Sequence, residues 1–170
     1  MYNRKREIMK QTERKKKTVE ESRTEQIHLI RSTHLNSSRR LFGGILMQWL
    51  DEVAGVVAMR HAGTKRVTTA SVDNLQFKEG TYEGELLVII GYITYVGNSS
   101  MEVEVDTYTE RMDGMRYLVN RAFFVMVALG EDNRPCQVPG LELCTEVERG
   151  RYEAGLLRRE MHRKRREGGY

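Results

Sequence analysis

A helix that is apolar on nearly every side is the feature that most constrains how this chain can fold. Residues 43–61 begin with a Gly-Gly pair, and their apolar side chains are too closely spaced to lie on one stripe: Ile45, Leu46, Trp49, Leu50, Val53, Val56, Val57 and Met59. A helix of this kind is normally buried on most of its surface. Asp51 and Glu52 nevertheless stand in its middle. Carboxylates are seldom buried without a partner or a chemical task, so this pair is the first place to look for function.

After this helix the pattern changes from a helical period to the two-residue period of strands. Four long β-prone segments follow, and one shorter segment precedes the helix: residues 66–77, 85–96, 100–110 and 116–129, and residues 24–32. Turn residues at Gly97-Asn98 and at Met112-Asp113-Gly114 predict antiparallel neighbours. One long sheet with a single apolar helix predicts an α+β fold in which the sheet curls around the helix.

Positive charge is concentrated at the two ends of the chain. The 170 residues carry a formal net charge of +4, but residues 1–18 hold eight Lys or Arg against two Glu, and residues 145–170 hold eight against five. Basic ends can meet nucleic acid, membrane headgroups or other phosphates, although a solvated tail is the simpler interpretation. We predict a disordered tail at 1–20, one domain at 21–143 and a basic helical tail at 144–170. That helix either packs on a protein surface or is solvated.

Several classes of site find no support in the sequence. Cys136 and Cys144 lack the spacing of a metal site, and nothing demands a disulfide between them. The chain has no secretory apolar region and no apolar run of membrane-spanning length, which predicts a cytoplasmic protein without a membrane span. Motifs of nucleotide-binding loops and serine hydrolases are absent. The four histidines are scattered, so nucleophilic serine or cysteine catalysis has weak support.

One group of residues around the apolar helix has the chemistry of a hydrolysis site. The backbone N–H groups of Gly43 and Gly44 stand at the helix start, where unpaired donors and the helix dipole favour a developing negative charge. Asp51 lies two turns further on, and Gly55 leaves room beside it. Asn36, in the loop before the helix, offers an amide that can orient a water or a carbonyl. Oxyanion donors and a carboxylate base together form a minimal hydrolysis site.

Each member of this group also has a purely structural interpretation. Asn36 in a polar loop is commonly a turn residue, and the two glycines can simply allow a tight helix start. Glu52 is most simply a solvated or salt-bridged side chain, and Asp51 can be one too. The segment from Val96 to Ser100 is more often a plain hairpin turn than a ligand loop.

Short motifs also recur in a defined order between about residues 22 and 141. They comprise Asn36, residues 41–44, Met47, residues 49–54, 58–62 and 67–73, Phe77, residues 95–97 and 99–103, Ala122, Phe124, residues 127–129, Pro135 and Val138-Pro139. In this order and spacing they resemble the single-domain acyl-CoA thioesterases of the hotdog-fold superfamily, in the group related to cytosolic and brain acyl-CoA hydrolases. The resemblance implies a hotdog fold, a long antiparallel sheet wrapped around one central helix.

The resemblance also implies a site shared between two protomers, with Asn36 of one facing Asp51 of the other. Asn36 would polarise or orient the thioester, and Asp51 would act as general base on water or as nucleophile. The backbone at Gly43 and Gly44 would stabilise the oxyanion. No metal and no bound cofactor is implied, because CoA is part of the substrate and leaves as a product.

Contacts to acyl-CoA are implied for Phe42 and for the turn Gly97, Asn98, Ser99 and Ser100. Two departures from the family pattern are visible. Residues 31–35 lack the usual proline and acidic residue, and Asn98 stands where an arginine is common, so contacts to the CoA phosphates can differ.

The leading hypothesis is the hydrolysis of fatty acyl-CoA to a free fatty acid and CoA. An alternative is a non-catalytic hotdog module that senses acyl-CoA and uses its basic tails on nucleic acid. Residues 1–20 are too few for a helix-turn-helix, so we do not expect nucleic acid as a partner. A further alternative is another reaction of hotdog-fold enzymes. It would be either a dehydration or the hydrolysis of a thioester on acyl carrier protein. A lone hotdog exposes a sheet edge and half a site, which predicts a homodimer or a higher assembly of dimers such as a hexamer.

Overall fold

A five-stranded antiparallel sheet forms the body of the protein in the computed structural model, which describes residues 14–76 and 79–169. The elements in chain order are β1 (Lys16–Thr18), β2 (Thr24–Leu29), a 3₁₀ turn (Ser32–His34), α1 (Gly43–Ala62), β3 (Val67–Asp73), β4 (Leu86–Val96), β5 (Ser100–Glu110), β6 (Arg116–Ala128), β7 (Gly140–Glu142) and α2 (Glu146–Glu167). The large sheet has the order β2-β4-β5-β6-β3, and β1 and β7 form a small parallel sheet.

Helix α1 packs its apolar face against the concave side of the large sheet. Leu50, Val53 and Val57 are completely buried there. Gly91 in β4 makes this close approach possible, because a Cβ atom at this position would lie only 2.7 Å from Val53 Cγ1. The arrangement confirms the predicted α+β fold, in which a long antiparallel sheet curls around one side of a single helix.

The observed element ends differ from the predicted ones where local backbone geometry intervenes. Helix α1 ends at Ala62, and Gly63 adopts φ 71° with its N–H donating to Met59 O over 2.9 Å, as its left-handed cap. Strand β3 ends at Asp73, four residues before the predicted end, and Asn74 follows with φ 57°. Phe77, part of the resemblance, lies outside the described residues.

Part of the segment predicted as a disordered N-terminal tail belongs to the folded structure. Lys16–Thr18 forms β1 and pairs in parallel with β7. Arg14 fixes the start of this segment, because its Nε donates to Val138 O over 2.6 Å and its Nη2 to Gly97 O over 2.7 Å. The prediction for residues 1–13 lies outside the described part of the chain.

The C-terminal helix α2 packs across the outer face of the sheet. A Cβ atom on Gly155 would lie 2.9 Å from both Glu102 Oε1 and Tyr95 Cβ, so the helix backbone approaches the strands closely. Arg158 donates two hydrogen bonds to the carboxylate of Glu102, over 3.0 and 2.7 Å. Its guanidinium also lies 3.7 Å from the ring centroid of Phe123. Of the alternatives that the sequence left open for this basic helical segment, the structure shows packing on the domain.

A row of buried acidic residues lies on β5, and α2 covers the first of them, Glu102. Glu102, Glu104 and Asp106 are at most 5% exposed, although their alternation with apolar residues is typical of a solvated face. Arg121 approaches two of these carboxylates, with its Nε 2.9 Å from Glu104 Oε1 and 2.6 Å from Asp106 Oδ1. Burial raises the pKa of Glu104, and the neighbouring carboxylate of Asp106 raises it further. Arginine side chains thus allow this acidic face to be buried.

His61 near the end of α1 makes folding stability depend on pH. Its side chain is fully buried, and its Nε2 donates to Pro139 O over 3.1 Å. Burial lowers the pKa of His61 below its ordinary value, so the folded protein disfavours the charged ring. The unfolded chain takes up this proton near pH 6.5. Since the unfolded state then binds more protons, the free energy of unfolding falls as the pH drops below about 6.5.

We therefore expect the protein to lose free energy of unfolding between pH 7.5 and pH 5.5, and His61→Gln to lose less. Glutamine keeps a donor for the Pro139 carbonyl but cannot be protonated in this range. Urea titrations of both proteins at the two pH values measure the difference. An equal loss in the two proteins would show that His61 does not carry this pH dependence.

Candidate functional site

Asp51 lies on the outward side of α1, midway along the helix. Asp51 and Glu52 are both exposed in the single chain, so the helix is buried on one side only. The expectation that the helix would be buried on most sides is therefore not met in one protomer, and both carboxylates are open to solvent there. The apolar residues that suggested it divide between the sheet-facing side and an open groove.

The groove beside Asp51 has a volume of about 410 Å³. Besides Asp51, its lining combines residues of α1 with residues of β2, β3 and β6: Gln26, Glu52, Gly55, Val56, Met59, Val67, Thr69 and Met126. Thr69 in β3 donates from its hydroxyl to Asp51 Oδ1 over 2.6 Å. A Cβ atom on Gly55 would have only Met59 Cε within 4 Å, at 3.8 Å. The groove thus contains the room beside Asp51 that Gly55 was predicted to leave.

Glu52 differs from its neighbour in its contacts. The side-chain amide of Gln48 donates to Glu52 Oε1 over 2.9 Å, one turn earlier on the same exposed surface. This is the ordinary environment of a solvated helix residue. Glu52 therefore keeps its structural interpretation, and Asp51 alone has a hydrogen bond from the sheet.

The start of α1 leaves two backbone donors without an internal acceptor. Within the described chain, no hydrogen bond is made by the N–H groups of Gly43 and Gly44, as expected for the first turn of a helix. The ring of Phe42 lies against this turn, because a Cβ atom on Gly44 would fall 2.6 Å from Phe42 Cε1. Phe42 itself is 52% exposed. The turn therefore combines open donors with an exposed apolar ring.

Asn36 organises the loop before α1. Its side-chain oxygen accepts hydrogen bonds from the backbone N–H of Ser38 over 2.9 Å and of Arg40 over 3.1 Å. Because both backbone groups are donors, the atom that they contact must be the oxygen of the Asn36 side-chain amide and not its nitrogen. Asn36 is thus a turn residue, one of the two interpretations that its sequence position allows. Its amide NH₂ group remains available as a donor to a ligand.

A single chain does not bring these groups together. Seven residues of helix separate Gly44 from Asp51, a distance of roughly 10 Å at 1.5 Å per residue. Asn36 lies still further away along the chain, in the loop before the helix, and no hydrogen bond connects it to Asp51. The donors and the carboxylate of one protomer therefore cannot act on the same carbonyl group.

The turn from Gly97 to Ser100 joins β4 and β5, and its carbonyl groups are mostly occupied. Gly97 N–H donates to Ser100 O over 2.8 Å, and the carbonyls of Asn98 and Ser99 accept from Val138 and Ala128. The turn is therefore a hairpin turn between β4 and β5, in agreement with the structural interpretation of this segment. Among the described residues, no hydrogen bond connects this turn with Phe42, the other residue predicted to touch acyl-CoA.

Thr69 is the site residue that sequence reasoning did not single out. It lies within the matching segment 67–73, but a threonine in a strand is typical of any sheet and carries no functional signal by itself. Only the packing of α1 beside β3 shows that its hydroxyl reaches Asp51.

Among the described residues, no group of three His, Cys, Asp or Glu side chains could hold a metal ion. No helix in that part of the chain is long and apolar enough to cross a membrane.

Comparison with known proteins identifies relatives that match about nine tenths of this chain. A family model described as the thioesterase superfamily matches residues 40–115. The cytosolic acyl coenzyme A thioester hydrolase of Rattus norvegicus is 36% identical over 155 residues, which are 89% of this chain and 40% of that protein. This chain thus spans about two fifths of the length of that relative.

Two solved structures share both the fold and the length of the chain. The acyl-CoA hydrolase from Staphylococcus aureus, in complex with butyryl coenzyme A, coenzyme A and coenzyme A disulfide, superposes with a TM-score of 0.84. It is 31% identical, and the match covers 90% of this chain and 93% of that one. An apo-hexameric acyl-CoA thioesterase gives a TM-score of 0.84 at 37% identity and covers 89% and 97%. The hotdog fold is thereby confirmed, and the chain belongs to the hotdog-fold acyl-CoA thioester hydrolases of the thioesterase superfamily.

Proposed function

We propose that this protein hydrolyses fatty acyl-CoA thioesters to a free fatty acid and CoA. The observation that carries the proposal is the exposed carboxylate of Asp51, positioned by Thr69 at an open groove. The groove is partly apolar, which suits a thioester that carries an acyl chain. Membership of the acyl-CoA thioester hydrolase family supports the same reaction.

Asp51 has the geometry of a general base. The Thr69 hydroxyl occupies Oδ1 and restricts rotation of the carboxylate, which leaves Oδ2 able to accept a proton from water. A water deprotonated here attacks the thioester carbonyl, and the CoA thiolate leaves. The same oxygen could instead attack the carbonyl directly and form an acyl anhydride that water then cleaves. The geometry of one chain is compatible with both routes.

The amide of Asn36 and the first turn of α1 act on the other side of the carbonyl. Because the Asn36 oxygen is bound within its own loop, only its NH₂ group can meet the substrate, as a donor to the thioester oxygen. The N–H groups of Gly43 and Gly44 add donors where negative charge develops. Phe42, exposed beside them, is placed to contact the substrate.

The complete site requires a second copy of the chain. The roughly 10 Å between Gly44 and Asp51 within one helix means that the donors of one protomer serve the carboxylate of another. Strand β3, which carries Thr69, is an edge strand of the sheet and offers unpaired backbone groups for such a contact. We therefore propose a homodimer or a higher assembly of dimers. A hexameric relative supports this expectation.

Variants of a solved relative support the choice of residues. The Staphylococcus aureus acyl-CoA hydrolase has been solved with an asparagine and with an aspartate replaced by alanine. Its asparagine and aspartate stand fifteen positions apart, the same interval that separates Asn36 from Asp51. Absence of a metal and of a bound cofactor, and a cytoplasmic location, stay predictions.

The alternative of a sensing module that uses its basic tails on nucleic acid is weakened by the contacts of α2. Arg158 is paired with Glu102, and Arg151 lies over the ring of Tyr92, so these charges are used within the domain. Hydrolysis of the thioester between an acyl group and acyl carrier protein stays a further alternative. It requires an acidic protein partner in place of CoA.

Release of free thiol from acyl-CoAs of increasing chain length tests the proposed function. We expect hydrolysis above the buffer rate for at least one chain length, because the site contains both a base and oxyanion donors. The same acyl groups on acyl carrier protein serve as the comparison. A purified, folded protein that releases no thiol from any acyl-CoA would refute the proposal.

A further inference from the structure

The groove beside Asp51 continues along α1 toward the end of the helix. Gly55 and Met59 follow Asp51 at intervals of four residues, so they lie one and two turns further along the same side, about 6 and 12 Å away. The chain turns back from α1 into β3 within four residues. Val67 at the start of β3 therefore lies toward the end of the helix, and Thr69 lies toward Asp51.

The continuation of the groove has apolar walls. The side chains that α1 and the sheet contribute beyond Asp51 hold only carbon and sulfur atoms: Val56, Met59, Val67 and Met126. Among the polar members of the lining, Glu52 and Thr69 adjoin Asp51, and Gln26 is contributed by β2. An alkyl chain gains from burial against the apolar walls, whereas an amide of the pantetheine arm would lose its hydrogen bonds to water there. The acyl chain, and not the CoA arm, should therefore extend from Asp51 toward Met59.

The side chain of Met59 closes this apolar path early. Met59 is half-buried, and its Cε lies 3.8 Å from the position of a Cβ atom on Gly55. The side chain thus extends back along α1 by one turn, in the direction of Asp51. The open floor of the groove therefore runs about 6 Å from Asp51 to the methyl group of Met59, which is half the distance to the Met59 backbone.

This length sets a limit on the acyl chain that the groove can bury. An extended chain advances by roughly 1.2 Å per bond, since the three backbone bonds of a residue span at most about 3.6 Å. With the thioester carbonyl beside Asp51, about five bonds fit before the chain reaches the methyl group of Met59. An acyl chain of about six carbons fills this length.

We propose that Met59 limits the acyl chain of the substrate to about six carbons, an inference that rests on the proposed thioester hydrolysis. Short-chain acyl-CoAs are then the preferred substrate class. A longer chain has to displace the methyl group of Met59 or leave its end in water. It gains little from its further methylene groups, because the gain depends on their burial.

Met59→Ala tests this limit, because it opens the groove by about one further turn of α1. In the wild-type protein, kcat/KM should rise from acetyl-CoA to hexanoyl-CoA by up to about fourfold per methylene, and should not rise further to decanoyl-CoA. In Met59→Ala, the ratio of kcat/KM for decanoyl-CoA to that for hexanoyl-CoA should increase about tenfold. Met161→Ala, which removes an exposed methionine of α2, is the matched control and should keep the wild-type ratio.

Gly55→Ala tests the same groove in the opposite direction. Alanine is favourable within a helix, and its Cβ atom would meet Met59 Cε at an ordinary van der Waals distance, so the fold should be retained. The added methyl group lies on the floor of the groove, one turn from Asp51. The ratio of kcat/KM for hexanoyl-CoA to that for acetyl-CoA should therefore fall about tenfold, because two or three methylene groups lose their place.

Melting temperatures check that all three variants are folded. A wild-type kcat/KM that keeps rising to decanoyl-CoA would overturn the proposal. A chain-length profile of folded Met59→Ala that equals the wild-type profile would overturn it as well. If Met59→Ala does not fold, Gly55→Ala decides in its place, and an unchanged profile in that variant refutes the limit.

Calorimetric binding of S-alkyl-CoA thioethers, which cannot be hydrolysed, separates this inference from the proposed function. We expect the wild-type protein to bind S-hexyl-CoA and S-decyl-CoA equally, and Met59→Ala to bind S-decyl-CoA about tenfold more tightly than the wild-type protein does. Free CoA should bind equally to both proteins. If the wild-type protein hydrolyses nothing but shows this pattern, the chain-length limit stands and the proposed function fails. If it hydrolyses acyl-CoA while Met59→Ala leaves S-decyl-CoA binding unchanged, the limit is refuted and the proposed function stands.

Discussion

In the Asp51→Asn variant, the rate of thioester hydrolysis should fall by a factor of about 10² to 10⁴. This is the range that a general base contributes to a rate. Asparagine has nearly the same shape and can still accept the hydrogen bond of Thr69, but it cannot take a proton from water. Asp51 is exposed and makes one side-chain hydrogen bond, so stability should change by no more than about 0.5 kcal/mol. Steady-state thiol release and a thermal melt measure the two quantities.

Glu52→Gln is the matched control for this variant. It removes a carboxylate from the adjacent residue of the same helix, where the contact is with Gln48 instead of the sheet. We expect it to retain most of the activity. Wild-type activity in Asp51→Asn would exclude Asp51 from the chemistry, and an equal loss in both variants would show that the effect is not specific to Asp51. In the wild-type protein, trapping with hydroxylamine during turnover would detect an acyl anhydride on Asp51 and thus a nucleophilic role.

Asn36→Asp should lower kcat/KM by about 10² to 10³, the usual effect of losing one oxyanion donor. Aspartate keeps an oxygen for the backbone N–H groups of Ser38 and Arg40, so the loop should stay intact. It replaces the NH₂ donor by an acceptor that repels the developing oxyanion. Comparison of kcat/KM with the wild-type value, together with the melting temperature, measures both effects.

Asn36→Ala separates the role of the loop from that of the donor. Alanine removes the NH₂ donor and both loop hydrogen bonds, so we expect a loss of activity and also a lower melting temperature. The aspartate variant should show the first effect without the second. Wild-type activity in Asn36→Asp would mean that the amide serves the loop alone.

The buried face of α1 and the long strands could be predicted because their signals are local. Gly43 and Gly63 mark the two ends of the helix, and the alternation in β5 defines its bounds residue by residue. Turn residues between β4, β5 and β6 then dictate antiparallel pairing. The outward position of Asp51 could not be read in the same way, because an apolar groove and a buried core use the same residue types.

The contacts of α2 could not be predicted because each partner alone has the composition of a solvated surface. Arg158 on a basic helix and Glu102 on an acidic strand face both indicate exposure, yet together they are buried. Thr69 is a similar case, since its hydrogen bond to Asp51 depends on packing between elements distant in sequence. The shared site also depends on a second chain, whose position a single sequence does not encode locally.

The close packing of Gly155 against Glu102 has a consequence for how this chain can vary. Shortening the protein at residue 143 would remove Arg158 and leave the carboxylate of Glu102 without its ion-pair partner and without the helix backbone that covers it at Gly155. A chain without this helix should therefore need a neutral residue at position 102, whereas Glu104 and Asp106 would keep Arg121 as their partner. Changes at residue 155 and at residue 102 should accordingly occur together, because the two positions are in direct contact.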